Sequence, residues 1–131
     1  ANAGARVTVF NRTPERGQSA AGRLQLPFLP LSDLDPAQFD LLVNATSLGR
    51  GDGDPLPFDV EGLRPGTVVI DLVYLMDRPT RLLREAAATG AVAVDGREVL
   101  IDQARGQFRM MTGQDLPLEL ARRVAGLEDA P

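Results

Sequence analysis

The chain contains no cysteine and no histidine among its 131 residues. The first absence excludes disulfides, thiolate nucleophiles and sulfur-ligated metals. The second excludes a Ser-His-Asp triad and a His-ligated zinc. Lysine is absent too, so every basic residue is an arginine. No lysine here can act as a general base or form a Schiff base. Proton chemistry is left to carboxylates, to the single tyrosine, Tyr74, or to groups from another chain segment. No apolar run is long enough to cross a bilayer, so no membrane association is expected. Residues Ala1 to Ala5 lack the charged and apolar regions of a signal peptide, and cytoplasm is the expected compartment. Net charge is −4, with the acidic residues spread along the chain. Without a basic stripe and interleaved aromatics, no nucleic-acid partner is expected.

What is present points to an α/β protein of one-domain size with a real core. The most telling stretch is Arg6-Val7-Thr8-Val9-Phe10-Asn11-Arg12-Thr13-Pro14. It reads as a strand over Arg6–Phe10, a polar triplet, then a helix over Pro14–Leu24. Thr13 suits the N-cap, Pro14 the first helical position and Glu15 the positive helix end. In a dinucleotide-binding βαβ unit, the adenosine ribose is read at the end of the second strand. A carboxylate there accepts from a 2′-hydroxyl, whereas an arginine accommodates a 2′-phosphate. Asn11-Arg12-Thr13 offers a guanidinium fork, a hydroxyl and helix-terminal N–H groups, the chemistry of a phosphate site. The same residues also describe an ordinary strand-to-helix turn with a solvated arginine.

Downstream, strands and helices alternate, which argues for a mainly parallel sheet. Pro27–Asp35 reads as irregular, with Ser32 or Asp33 capping a short turn. Phe39–Asn44 reads as a buried strand and Thr46–Leu63 as a long loop of the kind that carries function. A strand over Thr67–Val73 and a helix over Pro79–Thr89 follow, with Leu82, Leu83, Ala86 and Ala87 inward. Ala91–Val94 is a short strand, and helices over Glu98–Met111 and Leu116–Ala125 close the pattern. Gly17 and Gly22 weaken the first helix. Gly49, Gly51 and Gly53 lack the spacing of a phosphate loop and read as flexibility. The expected fold is a Rossmann-like, mainly parallel sheet flanked by helices, without its first glycine-rich βα unit. Its expected extent is 1–127, with 128–131 as a tail. Ala1–Ala5 then reads as the last turn of the missing helix, with Gly4 at its C-cap.

Four motifs in register resemble the shikimate dehydrogenase family. They are Asn11-Arg12-Thr13-Pro14-Glu15-Arg16, Val43-Asn44-Ala45-Thr46-Ser47-Leu48-Gly49, Asp71-Leu72-Val73-Tyr74, and Asp95-Gly96 with Leu100-Ile101-Asp102-Gln103-Ala104. The resemblance runs from about Ala5 to Ala125. It implies NADP as cofactor, with Asn11, Arg12, Thr13, Pro14, Glu15 and Arg16 at the adenosine ribose and its 2′-phosphate. Thr46, Ser47 and Leu48 would line the cofactor's path, and Leu72 and Gly96 would lie beside the nicotinamide half. Tyr74 and Gln103 would reach the substrate. The implied reaction is reversible hydride transfer between NADPH and 3-dehydroshikimate, giving shikimate. Met76, Val99 and Met111 depart from the family's usual proline, methionine and tryptophan. These are apolar replacements that mostly affect packing. The family's catalytic lysine and aspartate, its substrate-binding serines and its phosphate loop belong to the half not represented here. No catalytic residue is therefore expected in this chain, and these residues alone should not turn over.

Other readings stay open at this stage. Asp71 suits a structural role, its carboxylate accepting from loop N–H groups. Tyr74 is placed equally well for a ligand or a core role. Gln103 shares a helical stripe with Val99, Leu100, Ala104, Gln107 and Phe108, so it needs a partner, either a backbone carbonyl or a substrate hydroxyl. A quinate-preferring relative, a glutamyl-tRNA reductase and a non-catalytic fragment needing a partner chain are the rivals. An incomplete sheet also exposes an edge and a face, which favours homodimers or wider self-association.

Overall fold

The computed structural model describes residues 4–127. The expected tail, 128–131, lies outside the described residues, as does most of the expected helix remnant at 1–5. Two compact units divide the chain, Ala1–Asp35 and Pro36–Pro131. The partial domain expected over 1–127 is described as these two units in turn. Among the described residues, no helix is long and apolar enough to cross a membrane.

The first unit is a β-α-β element. Strand β1 (Val9–Asn11) leads into helix α1 (Pro14–Leu24), which returns the chain to strand β2 (Phe28–Pro30). The strands are parallel, with Val9 opposite Phe28 and Asn11 opposite Pro30. The helix has the expected bounds, with proline in its first turn. Strand β2 falls where an irregular stretch was expected. Its prolines hide the strand locally, but Val9 N–H donates to Pro27 O at 2.9 Å and pairing with β1 supplies the regularity. A 3₁₀ turn over Leu31–Asp33 follows, in the place of the expected short turn.

Gly17 is no weakness in α1. A Cβ built there would lie 2.1 Å from Phe28 Cε2 and 2.8 Å from Asn11 Cβ. The helix packs on both strands at a distance only glycine permits. Gly22, in the same helix, has nothing within 4 Å of such a Cβ.

The second unit holds a three-stranded parallel sheet, ordered β3 (Leu41–Asn44), β4 (Val68–Asp71), β5 (Val92–Asp95). Period-two alternation divides each strand between two faces. In β3, Leu42 and Asn44 are buried while Leu41 and Val43 are each 50% exposed. The expected all-buried strand is therefore a one-sided one, since nothing described covers its second face. Helix α2 (Arg81–Ala88) buries Leu82, Leu83 and Ala86. Ala87, expected to face inward, is exposed because the buried stripe of so short a helix is narrow. Thr80 caps α2, and Gly90, at φ +86°, carries the left-handed turn after it. Helices α3 (Gly96–Thr112) and α4 (Leu118–Val124) complete the unit.

Replacing Gly17 by alanine is expected to destabilise the chain by about 1–3 kcal/mol through overpacking. Gly22→Ala should instead stabilise it by about 0.5–1 kcal/mol through helix propensity. Urea denaturation of the two variants checks the contrast, and equal shifts would contradict the packing argument.

Candidate functional site

The parallel register of the second unit aligns Asn44, Asp71 and Asp95 at the carboxyl ends of β3, β4 and β5. Asn44 and Asp71 are buried, and each polar atom of the pair has a partner. Asn44 Nδ2 donates to Asp71 Oδ1 at 2.9 Å and to Leu48 O at 3.0 Å. Asn44 Oδ1 accepts from Thr46 N–H at 3.0 Å and from Thr46 Oγ1 at 2.7 Å. The Asp71 carboxylate also accepts from Val73 N–H at 3.1 Å and from Thr80 Oγ1 at 2.6 Å. Burial pushes the Asp71 carboxyl above the usual carboxylate range, against the pull of these hydrogen bonds. This matches the structural role expected of Asp71, with a loop N–H among its donors. Asp95 does the corresponding work on β5. Its Oδ1 accepts from Arg97 N–H at 2.9 Å, capping α3.

In the first unit, Asn11 Oδ1 accepts from Thr13 N–H at 2.8 Å and shapes the turn before α1. Thr13 is the N-cap residue by backbone position, yet its side chain makes no capping bond. The expected hydroxyl cap is not made; the Asn11 amide oxygen instead fixes the backbone N–H of Thr13 itself, just ahead of the helix. Arg12, Pro14, Glu15 and Arg16 are exposed around the amino end of α1.

In the second unit, Thr46 and Ser47 are exposed and Leu48 is half-buried, on the loop that Asn44 organises. Thr46 Oγ1 also accepts from Leu48 N–H at 3.1 Å, so the loop's start is tightly turned. Its continuation is anchored as well. Asp52 bonds Arg84 at 2.5 Å and pairs with Arg78 at 3.4 Å, which holds its carboxyl below the usual range. The expectation of simple flexibility at Gly49–Gly53 missed this anchorage, because the arginine partners lie some thirty residues downstream. Leu72 is exposed at the end of β4, and its N–H donates to Asn44 O at 3.0 Å. Gly96 is buried, and a Cβ there would lie 2.6 Å from Asp71 O and 3.0 Å from Leu72 O. Its absence of side chain lets α3 start directly against β4.

Tyr74 is 39% exposed and lines an open apolar groove of about 450 Å³. Met76, Leu100, Ile101, Leu120 and Val124 are among the other residues of its wall. Gln103 is exposed and does not line this groove. The expected need for a buried partner does not arise, since α3 turns Arg97 and Ile101 inward and Gln103 outward. The residue that sequence reasoning missed is Arg97, a buried guanidinium that contributes to the groove's lining. Next to a glycine in a helix's first turn it reads as a solvated cation, and no local signal reveals its distant partners.

Parallel strands, helical connections and polar groups gathered at the strands' carboxyl ends define a Rossmann-like α/β protein. No family model matches the chain. It is 44% identical over 119 residues to the NADP(+) shikimate dehydrogenase of Methanothrix thermoacetophila, covering 89% of this chain and 44% of that relative. The crystal structure of shikimate dehydrogenase from Aquifex aeolicus superposes with a TM-score of 0.82 at 30% identity, over 93% of this chain and 45% of that one. Shikimate 5-dehydrogenase of Thermus thermophilus in complex with NADP(H) and shikimate gives a TM-score of 0.77 at 37% identity, over 95% and 48%. By sequence and by fold, nearly the whole of the chain matches shikimate dehydrogenases. It spans about half the length of these relatives.

Asp71→Ala is expected to cost about 2–4 kcal/mol, since it strands donors on Asn44, Val73 and Thr80. Asp71→Asn should cost less, because the amide oxygen still accepts from Asn44 and Val73. It should also remove one component of the pH dependence. A carboxyl whose folded titration lies above its unfolded one contributes stability at low pH, and that contribution is lost as pH rises through the folded titration. Denaturant melts of both variants across the acidic range read out the order of cost and the lost component.

Proposed function

We propose that this chain is the cofactor-binding portion of an NADP-dependent shikimate dehydrogenase that works in the cytoplasm. The activity would be reversible hydride transfer between NADPH and 3-dehydroshikimate, giving shikimate. The observation that carries this reading is the gathering of Asn44, Asp71, Asp95 and the residues just beyond them at one carboxyl sheet edge. Ligands of open α/β sheets bind at that edge.

The first unit fits the adenosine end of the cofactor. Arg12 is exposed and makes no hydrogen bond or ion pair among the described residues, so its whole donor fork is available. With the Thr13 hydroxyl and the amino end of α1 beside it, it suits a 2′-phosphate. Asn11 holds the turn, and Pro14, Glu15 and Arg16 complete its rim. In the second unit, Thr46, Ser47 and Leu48 would line the cofactor, and Leu72 and Gly96 would bound its nicotinamide half. Bound NADPH would supply the hydride, and this chain would orient it. Tyr74 would meet a substrate hydroxyl, and Gln103 would do so from α3. The proton needed at the carbonyl oxygen would come from outside this chain, which holds neither lysine nor histidine. The expected self-association belongs to the same reading, with the half-exposed face of Leu41, Val43 and Val92 as its surface.

Two variants test the assignments in a protein carrying this chain with the remainder of the family's length. Arg12→Ala should weaken NADPH binding by roughly 1.5–3 kcal/mol, about ten- to a hundredfold, through loss of charge-assisted bonds. NADH binding should hardly change, and equal loss for both cofactors would remove the 2′-phosphate assignment. Tyr74→Phe should raise KM for shikimate by about two- to tenfold, the size of one neutral hydrogen bond. The KM for NADP should stay constant, and an unaltered shikimate KM would remove Tyr74 from the substrate wall.

A further inference from the structure

Arg97 spends every arm of its guanidinium on the fold. Nε donates to Asp95 Oδ1 at 3.0 Å and Nη2 to Asp95 Oδ2 at 3.1 Å, a two-point fork on one carboxylate. Nη1 turns the other way. It donates to Met76 O at 3.3 Å, Ala125 O at 3.4 Å and Gly126 O at 3.3 Å. The side chain is only 7% exposed. Asp95 raises the guanidinium's affinity for its proton still further, against the opposing effect of burial.

The three carbonyls come from two distant segments. Met76 lies two residues beyond Tyr74, on the loop that follows β4. Ala125 and Gly126 close α4. There the chain makes a left-handed turn at Gly126, with Leu127 N–H donating to Arg122 O at 2.9 Å and Gly126 N–H to Arg123 O at 3.1 Å. That motif leaves the Ala125 and Gly126 carbonyls pointing outward from the helix end, at its negative pole. The guanidinium occupies that pole and holds the Tyr74 loop to it. A Cβ at Gly126 would lie 3.6 Å from Arg97 Nη1 and 3.7 Å from Met76 O, so the three groups meet at one point.

We propose that Arg97 is a positioning residue: it clamps the Tyr74–Met76 loop to the carboxyl end of α4, so that Tyr74 is held in place only while α4 is docked. The consequence for catalysis rests on the reading of Tyr74 as the substrate contact. The clamp itself does not. Lysine cannot replace the fork, because one ammonium cannot bind a carboxylate at two points and also reach carbonyls on its far side.

The chain contains one tyrosine and no tryptophan, so near-ultraviolet circular dichroism and fluorescence anisotropy at tyrosine wavelengths report on Tyr74. In this chain, Arg97→Lys should abolish most of the Tyr74 ellipticity and lower its anisotropy, with far-ultraviolet dichroism retained. Glu98→Gln removes the charge of the Arg122–Glu98 pair between α3 and α4 but keeps an acceptor oxygen there, so α4 stays docked with the clamp intact and both signals should stay in place. An unchanged Tyr74 signature in Arg97→Lys would overturn the proposal, as would equal loss in Glu98→Gln. Should Arg97→Lys not fold, nuclear magnetic resonance of the unaltered chain decides. A clamped guanidinium shows resolved Nη signals and a protected Nε–H, and averaged, rapidly exchanging signals would overturn the clamp. None of these readouts involves substrate, so their failure is separate from failure of the shikimate assignment.

Discussion

Asp71 places a carboxylate in a fully buried position and surrounds it with donors from three separate segments. Asn44 comes from the neighbouring strand, Val73 from the loop beyond β4, and Thr80 from the start of α2. A buried charge without partners would cost several kcal/mol, so the fold is committed to bringing all three donors home. Two of the donors have a second task. Asn44 turns the Thr46–Leu48 loop, and Thr80 Oγ1 caps α2 by accepting from Leu83 N–H. One carboxylate therefore sets the relative placement of a strand, two loops and a helix. In the second unit, Thr46, Ser47 and Leu72, proposed to face the cofactor, are exposed neighbours of this buried network.

The absence of lysine shapes how the second unit is joined. Its charged links are made by guanidinium forks, which bind several acceptors at once. Arg97 binds a carboxylate and the end of α4, while Arg84 and Arg78 share Asp52 and moor the loop after β3. These two sites differ in environment. The Asp52 cluster lies in solvent, where ion pairs contribute little and fade with salt. The Arg97–Asp95 pair is buried, and removing one partner would leave an uncompensated charge. The loop near Thr46 is thus moored at its start by buried hydrogen bonds and farther along by exposed charges. The Tyr74 loop is held by a buried ion.

Much of this was legible residue by residue. Helix α1 runs over the stretch its capping pattern indicates, because Asn11, Thr13, Pro14 and Glu15 are all local signals. Apart from β2, the order of strands and helices follows from hydrophobic runs in the same way. Three of the four motifs that resemble the shikimate dehydrogenases lie where the register aligns Asn44, Asp71 and Asp95. Strand β2 was hidden because its prolines are local features, whereas its partner, β1, lies across α1. Gln103 was misjudged because an apolar stripe on a helix does not say which of its edges finds a neighbour.

The amino-acid sequence by itself determined the α/β class, the element order apart from β2, the chemistry that cysteine, histidine and lysine cannot supply, and the polar turn at Asn11–Arg16. These rest on composition and on interactions within a few residues. The tertiary structure alone decided that Gly17 and Gly96 are contact points, that Asp71 is the hub of a buried network, and that Arg97 is a clamp. Each depends on atoms that the chain brings together across many residues. Close approach, desolvation and multipoint hydrogen bonding exist only once those segments have met.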